Sequence, residues 1–112
     1  MDRFSTAVDE QGPNQFIVSV AGELDLAHSD ELADELDRLI APGALIVVDA
    51  QDLTFMDSAG LRTLLHANAR AETAEATLRL AAPCRAVRLV LDLTGATAVL
   101  DTRDDVATAL AG

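Results

Sequence analysis

The sequence contains 112 residues, a length typical of one domain with one hydrophobic core. Hydrophobic residues make up 50% of the chain and aromatic residues only 3%, so leucine, valine, isoleucine and alanine must fill that core. The formal net charge of −11 repels nucleic acid and anionic membranes, so we expect neither as a partner. No apolar run reaches the roughly 20 residues of a membrane span, so we expect a cytoplasmic protein.

The first elements form a predicted β-hairpin. Apolar and polar residues alternate from Phe4 to Val8 and again in "FIVSVAG", residues 16–22, which is the pattern of strands with two different faces. The segment between them, residues 10–15, contains Gly, Pro and Asn and is typical of a turn. We therefore expect the two strands to pair with each other at an edge of the sheet.

A helix and a buried strand come next. Apolar residues recur at helical spacing on one face: Leu32, Leu36, Leu39 and Ile40. We predict Ser29 as the N-cap of this helix and "APG", residues 41–43, as its end. The following "ALIVVDA", residues 44–50, is apolar on both faces, as expected of a central strand that helices cover on each side.

The rest of the chain continues this alternation. A helix is predicted after "LTFMDSAGL", residues 53–61, to about Ala71, followed by a strand in "ATLRLAAP", residues 76–83. A third helix is expected to end at Gly95, and "TAVLD", residues 97–101, to form a last short strand.

Thr102, with an acidic residue three positions later, resembles a capping box for a terminal helix. The order is therefore β-β-α-β-α-β-α-β-α. Alternating strands and helices predict a single α/β domain with a mixed, mostly parallel sheet, an N-terminal edge hairpin and about four helices.

Four small or polar residues stand where the central strand gives way to the second predicted helix: Asp57, Ser58, Ala59 and Gly60. In such sheets ligands gather at the carboxyl ends of strands, and the free N–H groups of a helix start favour an anion. Ser58 would present its hydroxyl in this turn, with small neighbours that leave space for another protein's active site. A helix cap is the alternative interpretation, because Ser and Asp commonly precede helices.

Three segments resemble a known family: "GELDLA" at residues 22–27, "LIVVDAQDLTFMDSAGLRTLL" at 45–65 and "VRLVLDLTGATAVL" at 87–100. They resemble the STAS domain family, and most of all its bacterial branch of anti-sigma factor antagonists, also called anti-anti-sigma factors. The resemblance covers nearly the whole chain, so we expect residues 1–112 to form one STAS domain. It implies a regulator rather than an enzyme, in which a serine kinase phosphorylates Ser58.

The resemblance also implies the partners. The kinase is of the GHKL type, uses ATP and is itself the anti-sigma factor; a serine phosphatase and a second copy of the chain in a weak homodimer are further expected partners. The residues expected at the partner surface are Glu23, Asp25, Thr54, Asp57, Ser58, Ala59, Gly60 and Leu61. Unphosphorylated, this surface would dock on the anti-sigma factor and release sigma. Phosphorylation would add about −1.5 to −2 charge and weaken the complex, with little refolding of the domain.

The residue types exclude several other kinds of chemistry. All eight basic residues are arginines, which excludes the phosphate-binding P-loop, Schiff-base chemistry and lysine general bases. Cys84 is the only cysteine, so an internal disulfide and zinc sites built on paired cysteines are excluded, and a partly buried thiol is expected rather than a redox sensor. His28 and His66 lack an evident third ligand, and we expect neither a metal nor a cofactor.

Three alternatives to a phosphoserine switch stay open. A response-regulator receiver would use Asp49 as its acceptor, but receivers rely on a lysine and do not begin with a hairpin. A serine hydrolase would need a histidine beside Ser58, which the sequence does not indicate. A STAS subunit of a transporter or signalling scaffold shares the fold and the loop, and the serine at position 58 favours the switch over it. Thr54 is expected to be a turn or strand-end residue, with a secondary phosphosite as the lesser alternative. The acidic cluster Asp49, Asp52 and Asp57 is expected to be solvated or capping rather than to bind magnesium.

Overall fold

The computed structural model describes residues 3–111 and arranges them as five β-strands and four α-helices. In chain order these are β1 (Phe4–Gly12), β2 (Gln15–Leu24), α1 (Ser29–Leu39), β3 (Leu45–Met56), α2 (Ser58–Thr73), β4 (Thr77–Ala81), α3 (Arg85–Thr94), β5 (Thr102–Arg103) and α4 (Val106–Ala111). The predicted order of strands and helices is therefore confirmed. The predicted domain limits, residues 1 and 112, lie outside the described residues.

The strands form one mixed sheet in the order β1-β2-β3-β4-β5. β1 runs antiparallel to β2, whereas all other neighbouring strands are parallel. The hairpin lies at the sheet edge, as predicted, and its turn contains Asn14 with a left-handed φ of 65°. Asn adopts this conformation more readily than most residues, which explains its place in the turn. The predicted α/β fold class is confirmed.

Helices cover both faces of the sheet. α1, α2 and α3 share one apolar core with the strand residues that point to their side, among them Val18 and Ile46. On the opposite face α4 packs through Ala109 against Val47 and Ala81. The first half of β3 is therefore buried from both sides, which is why its apolar residues are consecutive.

β3 is longer than its neighbour β4 and extends past it. It pairs with β2 from Leu45 to Met56 but with β4 only from Leu45 to Asp49. The apolar pattern predicted a strand only as far as Ala50. The strand continues because β2 still offers hydrogen-bonding partners on one side, and this carries the end of β3 beyond the main body of the sheet.

The last predicted strand is misplaced. Residues 96–98 form a 3₁₀ helix, and β5 contains only two residues. Gly95, with a left-handed φ of 74°, ends α3 as predicted, and the Leu100 N–H then donates to the Ala96 carbonyl at 2.8 Å. The chain thus satisfies locally the backbone groups that a strand would have paired.

Two predicted N-caps are also wrong. α1 is preceded by His28, whose side chain makes no capping bond, whereas the Ser29 hydroxyl donates to the carbonyl four residues earlier at 2.7 Å. α4 is capped by Asp105 rather than Thr102, because the Asp105 carboxylate accepts the Thr108 N–H at 2.7 Å. This hydrogen bond lowers the pKa of the Asp105 carboxyl. The Ser29 hydroxyl is therefore used by a carbonyl of the preceding loop, and Asp105, three residues after Thr102, supplies the carboxylate that caps α4.

An ion-pair network joins β5 to its neighbours. The Asp101 carboxylate accepts from Arg103 Nε at 2.7 Å and from Arg79 Nε at 3.2 Å, and Arg79 also donates to the Ala109 carbonyl of α4 at 2.6 Å. The hydrogen bond from Arg103, opposed by partial burial and supported by the charges of Arg103 and Arg79, lowers the pKa of the Asp101 carboxyl. Polar contacts therefore hold the C-terminal elements together where the strand itself is short.

Candidate functional site

A single residue, Asp57, makes the turn from β3 to α2. Its backbone is extended, and its Oδ1 accepts the Gly60 N–H at 2.9 Å, so it is the N-cap of α2. Its own N–H donates to the Leu24 carbonyl at 3.2 Å. The start of α2 is therefore tied to the end of β2 by a main-chain hydrogen bond, its first turn is capped by the Asp57 side chain, and the capping interpretation of Asp57 is confirmed.

Ser58 is the first residue of α2 and is exposed. Its hydroxyl makes no hydrogen bond to any other residue of the described range 3–111, whereas the neighbouring polar side chains of Asp57 and Thr63 are both engaged. The structure therefore places a serine Oγ with unused hydrogen-bonding capacity at the exposed mouth of a strand-to-helix corner, where the N–H groups of the first helical turn also point.

The small residues after Ser58 differ in their surroundings. Ala59 is partly exposed beside the serine, but Gly60 and Leu61 are buried. A Cβ atom at Gly60 would lie 2.5 Å from the Leu24 carbonyl oxygen and 3.1 Å from Met56 Cγ. Gly60 thus permits close packing of α2 on β2 within this domain, and it opens no space on the outer surface. Gly60 and Leu61 therefore contribute to the site through packing inside the domain.

The other predicted partner residues lie along the same edge of the sheet. The register pairs Glu23 with Phe55, so the end of β2 runs beside the end of β3. The Thr54 hydroxyl donates to the Gly22 carbonyl at 3.1 Å, and Asp25 Oδ1 lies 2.7 Å from His28 Nδ1. Glu23 forms an ion pair with Arg3 at 3.3 Å, a residue from the start of the chain. The structure therefore brings the predicted residues of β2 and of the β3–α2 corner together.

Two exposed apolar residues near the β3–α2 corner were missed from the sequence. Leu26, in the loop between β2 and α1, is 78% exposed, and Phe55, near the end of β3, is 47% exposed. Leu93 and Val99 are comparably exposed elsewhere, so Leu26 and Phe55 are candidate contact residues because of their place at the corner and not because of their exposure alone. The sequence did contain a signal for the exposure of Leu26, because this leucine lies outside the apolar stripe of α1. Phe55 gave none, because the strand was not predicted to extend so far.

A groove of about 240 Å³ runs between α1 and α2 from Leu26 and Ala59 near the serine. Asp30 borders it on the α1 side, and Arg62 and His66 border it on the α2 side, together with other residues of both helices. Among the charged side chains of this lining, Arg70 is paired with Asp37, whereas Arg62 makes no ion pair within residues 3–111 and leaves one free positive charge on the α2 side.

The remaining candidate sites do not converge. Within residues 3–111 no group of three His, Cys, Asp or Glu side chains could hold a metal ion, and the Asp49 carboxylate instead accepts the Gln51 N–H at 3.1 Å. Cys84 is partly buried and precedes α3 without capping it. No described helix combines the length and apolar character needed to cross a membrane. The β3–α2 corner is thus the place where the predicted residues meet.

Comparison with known proteins gives consistent matches over nearly the whole chain. The sequence model of the family described as "Mlab, STAS domain" matches residues 7–101. The crystal structure of an anti-sigma factor antagonist from Mycobacterium paratuberculosis is similar, with 25% sequence identity, a TM-score of 0.82 and coverage of 96% of this chain and 92% of that chain. The sequence matches no curated protein at a comparable significance.

Two further solved structures share the fold. The anti-sigma factor antagonist SpoIIAA in its unphosphorylated form has 22% identity and a TM-score of 0.74, with coverage of 88% of this chain and 87% of that chain. A sulfate transporter family protein from Wolinella succinogenes has 18% identity and a TM-score of 0.75, with coverage of 89% of this chain and 84% of that chain. The same architecture therefore occurs in proteins whose descriptions point to two different roles.

Proposed function

This chain belongs to the STAS domain family, and we propose that it acts as an anti-sigma factor antagonist whose binding is switched off by phosphorylation of Ser58. The observation that carries the proposal is the exposed Ser58 hydroxyl, which has no hydrogen-bond partner within residues 3–111 and stands at the start of α2. The similarity to an antagonist structure over 96% of the chain supports it.

The unphosphorylated surface has the features of a docking site. Leu26 and Phe55 supply exposed apolar area near the β3–α2 corner, and the polar residues Glu23 and Asp25 lie at the end of β2 and just after it. Burial of the apolar side chains drives association, and the surrounding charges set the orientation of the partner. The partner is an anti-sigma factor with serine kinase activity of the GHKL type, which releases sigma when this chain binds.

Phosphorylation requires only an acceptor from this chain. Ser58 Oγ attacks the γ-phosphorus of ATP in the kinase, the bond to the leaving ADP breaks, and a base of the kinase takes the serine proton. Asp57 is already occupied as the N-cap through its bond to Gly60. The reaction leaves a phosphoserine that a serine phosphatase can hydrolyse to return the chain to its binding state.

The phosphate weakens the complex rather than the fold. At a helix N-terminus a dianion is favoured by about 0.3–1 kcal/mol, so the domain tolerates it. In the complex the same dianion must lose water beside Asp57 and against the partner. A penalty of about 3–5 kcal/mol would weaken binding roughly 100- to 5,000-fold, which is enough for a switch.

Intact-mass measurement after incubation with candidate anti-sigma kinases and ATP tests the proposal. We expect the native chain to gain one phosphate and Ser58→Ala to gain none. Thr54→Ala is the matched control, because it removes the other exposed hydroxyl of the corner and should be phosphorylated normally. Phosphorylation that persists in Ser58→Ala would overturn the assignment of the acceptor.

A binding measurement tests the electrostatic mechanism separately. The chain phosphorylated at Ser58 should bind the kinase at least 100-fold more weakly than the unphosphorylated chain, by the roughly 3 kcal/mol estimated above. Ser58→Ala should bind like the unphosphorylated chain. Equal affinity of the phosphorylated and unphosphorylated chains would refute the mechanism.

A second candidate function is a STAS subunit that regulates a transporter or a signalling scaffold. The similarity to the sulfate transporter family protein favours it. Affinity purification from the native cells distinguishes the two: recovery of a GHKL-type kinase supports the sigma pathway, whereas recovery of a transporter ATPase supports the alternative. Sedimentation of the purified chain alone tests the expected weak homodimer.

A further inference from the structure

Arg62 stands one helical turn after Ser58 on α2. Residues at positions i and i+4 of a helix share a face, with about 5–6 Å between their Cβ atoms, so the two side chains are neighbours. Both residues are exposed. Neither side chain forms a hydrogen bond or an ion pair within residues 3–111, in contrast to Arg70 on the same helix, which lies 2.7 Å from Asp37.

Such an unengaged arginine is unusual in this chain. Six arginines of the described residues form ion pairs with carboxylates: Arg3, Arg38, Arg70, Arg79, Arg88 and Arg103. Arg62 and Arg85 do not, although the protein carries 19 acidic residues, and of these two only Arg62 lies on the same helix as Ser58. Two acidic residues lie near this part of α2: Asp57 caps the helix, and Asp30 borders the groove on the α1 side without an ion pair to Arg62.

We propose that Arg62 is the intramolecular counter-charge of the phosphate on Ser58. This inference rests on the proposed function and adds to it the residue that pairs with the phosphate once Ser58 carries it. A guanidinium binds phosphate oxygens through two parallel N–H···O bonds, and the long arginine side chain can reach back along the helix toward position i−4. The acceptor and its cation are thus present on the same helix before any partner binds.

Phosphorylation then changes the docking surface in two ways. It adds a dianion at Ser58, and it draws the Arg62 guanidinium onto that dianion and away from the groove between α1 and α2. A partner that uses the positive edge of this groove loses a contact at the same moment that it meets the phosphate. The switch therefore depends on the pair of residues rather than on the serine alone.

The test uses chains that carry phosphoserine at position 58 by direct incorporation during synthesis, so that no kinase or partner is needed. Thermal unfolding is measured with and without the phosphate in the native chain and in Arg62→Gln. We expect Arg62→Gln to lower the Tm of the phosphorylated form about 1–2 °C more than that of the unphosphorylated form. Arg62→Lys should retain part of the effect, and added salt should reduce it.

Phosphorus NMR gives a readout that a purely structural role of Arg62 would not change. Arg62→Gln should raise the second pKa of the phosphate by about 0.2–0.5, because the guanidinium stabilises the dianion. Asp57, Asp30 and His66 are the other titratable groups around the site, and they are the same in both chains.

Arg38→Gln is the matched control. Arg38 is exposed and lies in the last turn of α1, close to the ion pair of Asp37 and Arg70. The substitution therefore removes the same charge at the end of the helices that is far from Ser58. It should leave the difference between the two forms unchanged. An equal effect of Arg38→Gln and Arg62→Gln, or no effect of either, would overturn the inference. Because no kinase takes part, this result is independent of whether the proposed pathway is correct.

Discussion

Gly60 lies so close to Leu24 that a Cβ atom at position 60 would come within 2.5 Å of the Leu24 carbonyl oxygen. The same carbonyl accepts the Asp57 backbone N–H at 3.2 Å. The first turn of α2 is therefore held against the end of β2 by main-chain contact. The position of Ser58 depends on the absence of a side chain two residues later.

Gly60→Ala should destabilise the domain by about 1–3 kcal/mol, because α2 must shift away from β2 to admit the methyl group. Helix propensity alone predicts the opposite sign, by about 1 kcal/mol. Urea denaturation decides between the two. Gly12→Ala is the control, since its added Cβ would meet only Gln15 Oε1 at 3.8 Å. A stabilised Gly60→Ala variant would show that the contact is soft.

Asp57→Ala should cost about 0.5–2 kcal/mol of folding free energy through loss of the N-cap. Asp57→Asn keeps an oxygen that can accept the Gly60 N–H and should remain close to the native stability. The comparison separates the capping role of Asp57 from the effect of its charge on the partner. If the Asn and Ala variants unfold at the same denaturant concentration, the capping bond contributes nothing.

Leu26→Ala should weaken binding to the anti-sigma partner about tenfold while changing the stability by no more than about 0.5 kcal/mol. Leu93→Ala provides a control of the same chemistry, because Leu93 is 77% exposed and Leu26 is 78% exposed. Leu93 lies near the C-terminal end of α3, at the opposite edge of the sheet. Titration calorimetry with the partner measures both variants, and equal losses would place the docking surface elsewhere.

The network around Asp101 predicts a dependence of stability on pH. Because the folded pKa of Asp101 is lowered from its ordinary value of 3.8, its contribution is complete above that value and is lost as the pH falls through the lower folded pKa. The side chain is 41% exposed, so solvent screening keeps the contribution below about 1 kcal/mol. Asp101→Asn should therefore be less stable than the native chain at pH 7, and the difference should shrink below about pH 4.

Denaturation curves of both chains between neutral and acid pH check this prediction. The neighbouring cap Asp105 also has a lowered pKa and titrates in both chains alike, so its effect cancels in the difference. A gap between the two chains that stays constant down to acid pH would mean that Asp101 acts through packing rather than through its charge.

Much of the architecture could be predicted because hydrophobic periodicity records which faces are buried. The stripe of Leu32 and Leu36 defined α1, and the run of apolar residues from Ala44 to Val48 identified β3 as the central strand. The β3–α2 corner was also located from the sequence, since small and polar residues interrupt two apolar patterns there. The role of Ser58 as an acceptor came from a family resemblance and stays a prediction.

The features that escaped prediction depend on contacts between distant segments. β3 extends to Met56 because β2 lies beside it, and no local pattern records that neighbour. The exposure of Phe55 follows from this extension. Ser29 failed as an N-cap because its hydroxyl found a carbonyl in the preceding loop instead. Choices between nearly equal local hydrogen bonds are made by the tertiary structure, and the sequence does not resolve them.

Because β3 is longer than β4, the thermal stability of this domain and the surroundings of Ser58 depend on different elements. The last part of β3 borders only β2, so the location of the serine is set by the N-terminal strands and the first two helices. Substitutions in β5 or α4 can therefore erode thermal resistance without altering the acceptor's surroundings. Thermal stability can therefore be engineered through the C-terminal elements, independently of the regulatory corner in the middle of the chain.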